Sequence, residues 1–131
     1  MSRALVDTSV FIARETGRPL DAARIADELT VSIITIGELR QGVLAATTVS
    51  IRDTRLVTLN AAQSWDPLPV DDAVAAAWAR LRLLLRDAGR RMPANDSWIA
   101  ATAVAAGVPI LTQDDDFDAV SGLSELEVIK V

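Results

Sequence analysis

The sequence predicts an α/β fold, a parallel sheet with helices on both faces, and three observations carry the prediction. Short apolar or β-branched runs alternate with stretches of helical spacing, the signature of successive strand–helix units. The strand candidates are brief and apolar, as expected of strands buried on both sides. The chain has 131 residues, half of them hydrophobic, which suits one domain (residues 1–131) with a single core.

Residues 3–7, Arg-Ala-Leu-Val-Asp, read as a strand ending on an acid. Residues 21–29 have helical spacing, and the β-branched residues 30–34 read as the second strand. Thr35 then starts a helix whose apolar stripe is Ile36, Leu39, Val43 and Ala46. Another helix is expected over residues 50–63, and a short strand over 67–70. Asp71 or Asp72 caps a long helix with the stripe Val74, Trp78, Leu81 and Leu85, and Gly89 stops it. An alanine-rich helix follows over residues 96–106, closed by Gly107-Val108-Pro109. Residues 110–112 and 126–131 supply the last two strands.

Composition narrows the chemistry. Without cysteine there is neither a disulfide framework nor a thiolate metal site. Without histidine the usual general base and the favoured zinc and copper ligand are also missing. Metal chemistry must therefore use oxygen ligands, which points to magnesium or manganese; no EF-hand spacing for calcium is present. The longest uncharged stretch, residues 98–113, is broken by Gly107 and Pro109 and too short to span a membrane. Asp7 interrupts the first apolar run, so no secretory signal is read there and a cytoplasmic location is expected. The net charge of −5 discourages polyanion binding, yet the basic residues are twelve arginines and one lysine. Arginine's planar fork suits phosphate.

Acids mark the strand exits, where ligands bind in parallel sheets. Asp7 ends the first strand, Glu38 follows the second, Asp96 opens the alanine-rich helix, and Asp114, Asp115, Asp116 and Asp118 follow residues 110–112. Each has a purely structural alternative. Asp7 caps a helix beginning near Ser9, and Glu38 completes a Thr35-x-x-Glu38 capping box. Asp96 suits a first helical turn behind an Asn95 cap, and the aspartate run suits a solvated turn. Caps do not explain why nearly every strand exit carries an acid. Converging carboxylates repel one another, so either some stay protonated or a divalent cation neutralises them. A water activated on such a cation is a nucleophile for phosphodiester hydrolysis.

The segments LVDTSVFIA (5–13), TIGELRQGVL (35–44), NDSWIAATA (95–103) and ILTQDDDF (110–117) follow the order of a PIN-domain protein. More narrowly, the chain resembles the VapC-type ribonuclease toxins of bacterial toxin–antitoxin pairs, from about Ala4 to Val131. The resemblance implies a three-layer α/β/α sandwich with a central, mainly parallel sheet of four to five strands. It implies a magnesium- or manganese-dependent endoribonuclease, a homodimer, and a small VapB-type antitoxin whose C-terminal segment lies over the active site. Matched by motif, the catalytic acids are Asp7, Glu38, Asp96 and Asp114, with Asp7, Asp96 and Asp114 toward the metal. The fourth match is loose, because Asp115 and Asp116 compete with Asp114; Asp116 is taken as accessory. Thr8 and Thr112 occupy hydroxyl positions beside the acids.

In this mechanism the nucleophile is water and not a ribose 2′-OH, so the products carry 5′-phosphate and 3′-hydroxyl ends. Arg82 and Arg86, four apart on the long helix, with Arg90 and Arg91 beyond Gly89, form either an RNA-contacting edge or a solvated arginine face. A receiver domain also gathers aspartates but needs a lysine at its pocket, and the sole lysine is Lys130. A haloacid-dehalogenase phosphatase needs Asp-x-Asp where this chain has Asp7-Thr8-Ser9. The remaining alternative is a non-catalytic PIN-like module that binds RNA or a partner without cutting.

Overall fold

Four parallel strands, in the order β2-β1-β3-β4, form the central sheet of the computed structural model, which describes residues 2–131. They are β1 (Arg3–Val6), β2 (Glu28–Thr30), β3 (Ile110–Thr112) and β4 (Val128–Lys130). Five helices accompany them: α1 (Thr8–Thr16), α2 (Ile33–Leu44), α3 (Val49–Gln63), α4 (Asp72–Asp87) and α5 (Ala94–Ala106).

Side-chain alternation along the strands separates two apolar layers. Ala4 and Val6 of β1 and Leu111 of β3 pack with Val10, Phe11, Ile36, Leu39 and Leu59 of α1, α2 and α3. Leu5 and Ile110 point the other way, onto Leu81 and Leu85 of α4, Ile99 and Ala103 of α5, and Phe117. Both central strands are fully covered, which is why their sequences read as continuous apolar runs. Among the described residues no helix is long and apolar enough to cross a membrane.

Five expectations are corrected. Residues 21–29 do not form a helix; they contain a 3-10 turn, Ala22–Arg24, and then enter β2. Pairing decides this: Glu28 N–H donates to Ser2 O at 3.0 Å and the Asp27 carboxylate accepts from the Ser2 hydroxyl at 3.2 Å, seating Glu28 opposite Arg3. The second strand ends at Thr30, before the predicted stretch 30–34 is used, because Ser32 caps α2 by accepting the Ile34 N–H at 3.0 Å. That cap also removes the expected Thr35–Glu38 box, since both residues lie inside α2. Residues 67–70 make one bridge, Leu68 to Ser32, and no strand. Pro67 and Pro69 lack the N–H groups that would extend the pairing. Finally, α5 begins at Ala94 behind Pro93, so Asn95 is helical and does not act as the cap.

Candidate active site

Asp7 is the centre of the rim formed by the strand ends. It leaves β1 with its N–H on Leu111 O at 2.9 Å, fixing the exits of β1 and β3 together. Its carboxylate is 1% exposed and caps α1 through the Ser9 N–H at 3.3 Å. The structural alternative was therefore correct as far as it went, but the cap is a minor part of the environment. The Ser9 hydroxyl donates to Asp7 Oδ2 at 2.7 Å, and the Thr112 hydroxyl donates to the same oxygen at 2.9 Å. All three donors use Oδ2. Oδ1 receives none of these bonds, and since no buried side-chain oxygen among the described residues lacks a partner, it keeps some contact with solvent. Burial pushes the Asp7 carboxyl up, against the opposing pull of Ser9 and Thr112.

The same two hydroxyls bind the loop after β3. Ser9 Oγ accepts the Gln113 N–H and Thr112 Oγ1 accepts the Asp114 N–H, each at 2.9 Å. Asp7 and Asp114 are thus linked through shared hydroxyls, and Asp114 enters the cleft with its position set by its own backbone. Burial and then Asp116 push the Asp114 carboxyl up, while Arg18 and Lys130 pull it down.

Glu38 projects from α2, half-buried. Its Oε1 lies 2.7 Å from the Thr8 hydroxyl, which is also 2.9 Å from Thr35 Oγ1. The Thr8 hydroxyl is the donor toward both oxygens, and its shorter contact is the one to Glu38. Asn95 Nδ2 approaches Glu38 Oε2 at 3.5 Å. Thr8 therefore orients Glu38, and Thr112 orients Asp7.

Asp96, in the first turn of α5, meets the others across the cleft. Desolvation and then the charges of Asp7, Asp116 and Glu38 push its carboxyl up to about 7. A hydrogen bond between Asp96 and Asp116 contributes to this shift. The aspartate run divides by direction. Asp114 and Asp116 act on the cleft, while Asp115, with a side chain 92% exposed, pairs with Lys130. Lys130 also reaches Asp118 Oδ1 at 3.2 Å. Its ion pair holds the Asp115 carboxyl below its usual range. The sole lysine thus lies at the sheet's carboxyl end on β4, closer to the acids than its place in the sequence suggests.

The four predicted acids are brought to one rim, with Asp116 beside them. Ser9 and Thr35 were missed; the hydroxyl-rich run Thr8-Ser9 directly after a strand-end acid was the available signal. Arg82, Arg86, Arg90 and Arg91 lie outside the acidic cleft, around a separate one. The donor set is entirely oxygen. Among the described residues no group of three or more acids is spaced to hold a metal ion by itself, so a cation there would keep water ligands, as magnesium does.

A family model described as PIN domain matches residues 4–123. Ribonuclease VapC5 of Mycobacterium tuberculosis is 51% identical over 97% of this chain and 94% of its own length. Ribonuclease VapC4 of the same species is 52% identical, covering 98% and 97%. The crystal structure of VapBC-5 from Mycobacterium tuberculosis, described as a member of the VapBC family of toxin–antitoxin systems, contains a chain that aligns over all of both chains with TM-score 0.92 and 47% identity. With its acids on the rim where the motifs place them, the chain belongs to the PIN-domain family and, within it, to the VapC ribonucleases.

Proposed function

We propose that the chain is a magnesium- or manganese-dependent endoribonuclease, the toxin of a toxin–antitoxin pair, with Asp7, Glu38, Asp96 and Asp114 as its catalytic acids. The reading is supported above all by the geometry at the ends of β1 and β3, where the Ser9 and Thr112 hydroxyls hold Asp7, Thr112 holds the Asp114 N–H, and Thr8 holds Glu38. Asp7 Oδ1, Asp96 and Asp114 would hold a divalent cation. When bound, it supplies the Lewis acidity that makes water a nucleophile at neutral pH and offsets charge on the phosphate.

The remaining steps fall to the chain's own groups. Ser9 and Thr112 hold Asp7 Oδ2, so that Oδ1 keeps one direction. Glu38, oriented through Oε1 by Thr8, takes the proton of the attacking water at its other oxygen. Asp116 acts beside Asp96 as an accessory acid. Attack by water leaves 5′-phosphate and 3′-hydroxyl ends.

The solved relatives named as VapBC toxin–antitoxin systems support a VapB-type antitoxin as partner. Leu44, Val49, Leu56 and Val57, at the end of α2 and along α3, expose apolar surface that supports a protein contact on that side. A second copy of the chain is the other partner in this reading, and the cytoplasm its location.

The test is cleavage of RNA by the chain freed of any antitoxin, followed on sequencing gels. Products with 5′-phosphate ends are expected with magnesium or manganese and none with EDTA. Cleavage that survives excess EDTA would overturn the metal mechanism, because no histidine is present to run a metal-free reaction.

A further inference from the structure

The overhanging end of α4 forms a second, basic cleft beside the acidic one. Trp78 of α4 stacks on Trp98 of α5 with ring centres 4.3 Å apart and planes 4° apart, and its Nε1 donates to Ser97 Oγ at 3.0 Å. Val74 and Ala77 pack against Ala101, and Leu85 lies in a cluster with Met92, so the two helices run antiparallel. Trp78 is thus level with the opening turns of α5, which begins at Ala94, while α4 continues to Asp87. At about 1.5 Å per residue, α4 overshoots the start of α5 by roughly 8 Å. Asp96 lies on that first turn of α5, so the overhang stands beside the acidic rim.

The overhang and the connector to α5 enclose a cleft of about 330 Å³ lined by Arg82, Leu85, Arg86, Arg90, Arg91 and Met92. Four arginines and no carboxylate line it, in a chain of net charge −5. Arg82 is held along the helix by the Trp78 ring, with Cζ 5.8 Å from its centre. Arg90 is fixed as a strut: its Nη1 donates to Ala119 O at 3.2 Å and to Ser121 O at 2.9 Å. These carbonyls belong to the end of the 3-10 turn Asp116–Val120 and to its cap, Ser121, and the same turn opens with Asp116. The basic cleft and the acidic rim therefore share a wall. Arg86 has one exposed partner, Asp87, at 3.1 Å, and Arg91 has none among the described residues.

From this arrangement we infer that the arginine cleft binds the phosphodiester backbone of single-stranded RNA, and that Arg82, Arg86 and Arg91 are its phosphate contacts. This deepens the ribonuclease reading and rests on it for the identity of the strand. The acidic rim repels a polyanion, and the cleft supplies the grip the rim lacks. A phosphate seated between the two helices places neighbouring nucleotides along the shared wall toward Asp116 and Asp96. Arg90 is a positioning residue, because its guanidinium is already engaged by carbonyls.

The test measures binding of a labelled single-stranded RNA oligonucleotide in EDTA, where cleavage is silent, across a salt series. Two triple variants are compared, each removing three positive charges. One is Arg82→Ala/Arg86→Ala/Arg91→Ala; the other alters the exposed and distant Arg3, Arg24 and Arg52. Each phosphate contact on a single strand adds about 0.7 to the slope of log affinity against log salt. The cleft variant should therefore lose about 2 from that slope and at least about tenfold in affinity at low salt, with far smaller losses for the distant variant. Equal losses from both variants, or an unchanged slope in the cleft variant, would overturn the proposal, the former by showing only diffuse charge. The nuclease reading fails separately: an arginine-dependent slope without any cleavage in magnesium or manganese would keep the cleft and remove the catalysis.

Discussion

Asp96 and the aspartates after β3 hold most of the chemistry that single residues decide. Asp96→Asn keeps the volume and the polar character while removing the charge that Asp7, Asp116 and Glu38 oppose. Losing a group that only supports a metal ligand lowers metal affinity or activity by about 10–100-fold; loss of this acid should exceed about a hundredfold in RNA cleavage. The metal-free variant should nevertheless melt no lower than the parent, as differential scanning calorimetry would show. A variant that unfolds yet keeps activity per folded molecule would make Asp96 structural. Within the run Asp114-Asp115-Asp116, Asp115→Ala should leave cleavage unchanged, because that side chain faces solvent and Lys130. Asp114→Ala should lower initial rates most, and Asp116→Ala to an intermediate degree. Equal losses at all three would mean that the run supplies only diffuse negative charge.

At the scale of elements, the junction of β1, α1 and β3 hangs on two hydroxyls. Thr112 donates to Asp7 and accepts the Asp114 N–H; Ser9 donates to Asp7 and accepts the Gln113 N–H. Thr112→Val keeps the shape of the side chain but leaves a backbone N–H and a buried carboxylate oxygen with fewer partners. The expected effect is a stability loss of about 1–3 kcal/mol by urea denaturation. Cleavage should fall by about 10–100-fold as Asp7 and Asp114 lose their common support. Thr112→Ser, which restores the hydroxyl, should recover most of the activity. Failure of this rescue would show that the methyl packing of Thr112, and not its hydrogen bonds, carries the effect.

For the whole molecule, the buried Asp7 and the half-buried Asp96 and Asp114 make stability depend on pH and on divalent cations together. The Asp96 carboxyl is raised to about 7 in the fold, against roughly 3.9 in an unfolded chain. Between those values the folded state holds a proton that the unfolded state has released, so stability falls as pH rises. Asp7 and Asp114, both pushed up, act in the same direction. The metal-free melting temperature should therefore be higher at pH ~5 than at pH ~8, by on the order of a few degrees. Magnesium should recover the difference at the higher pH, since it binds the deprotonated acids, and Asp96→Asn should flatten the metal-free profile. Fluorimetric melting across pH, with and without magnesium, reads both effects. A metal-free profile that rises with pH would contradict the raised carboxyls.

What the sequence determined by itself was the order of buried runs and the residue types at their ends. β3 was legible to the residue because Gly107 and Pro109 isolate an apolar triplet, and the cap of α4 to within Asp71 or Asp72 because acids precede a helical stripe; Asp71 is the cap. The acids Asp7, Glu38, Asp96 and Asp114 were legible as motifs, since a strand exit that carries an acid leaves a local trace. Their environment was not. Ser9 and Thr112 are 103 positions apart, yet bind the same oxygen. The direction of Asp115 depends on Lys130, which reaches it only because β4 pairs with β3. Likewise, helical spacing over residues 21–29 lost to the pairing of β2 with β1. Local propensity is worth tenths of a kcal/mol per residue and yields to burial and pairing, which the chain acquires only when distant segments meet.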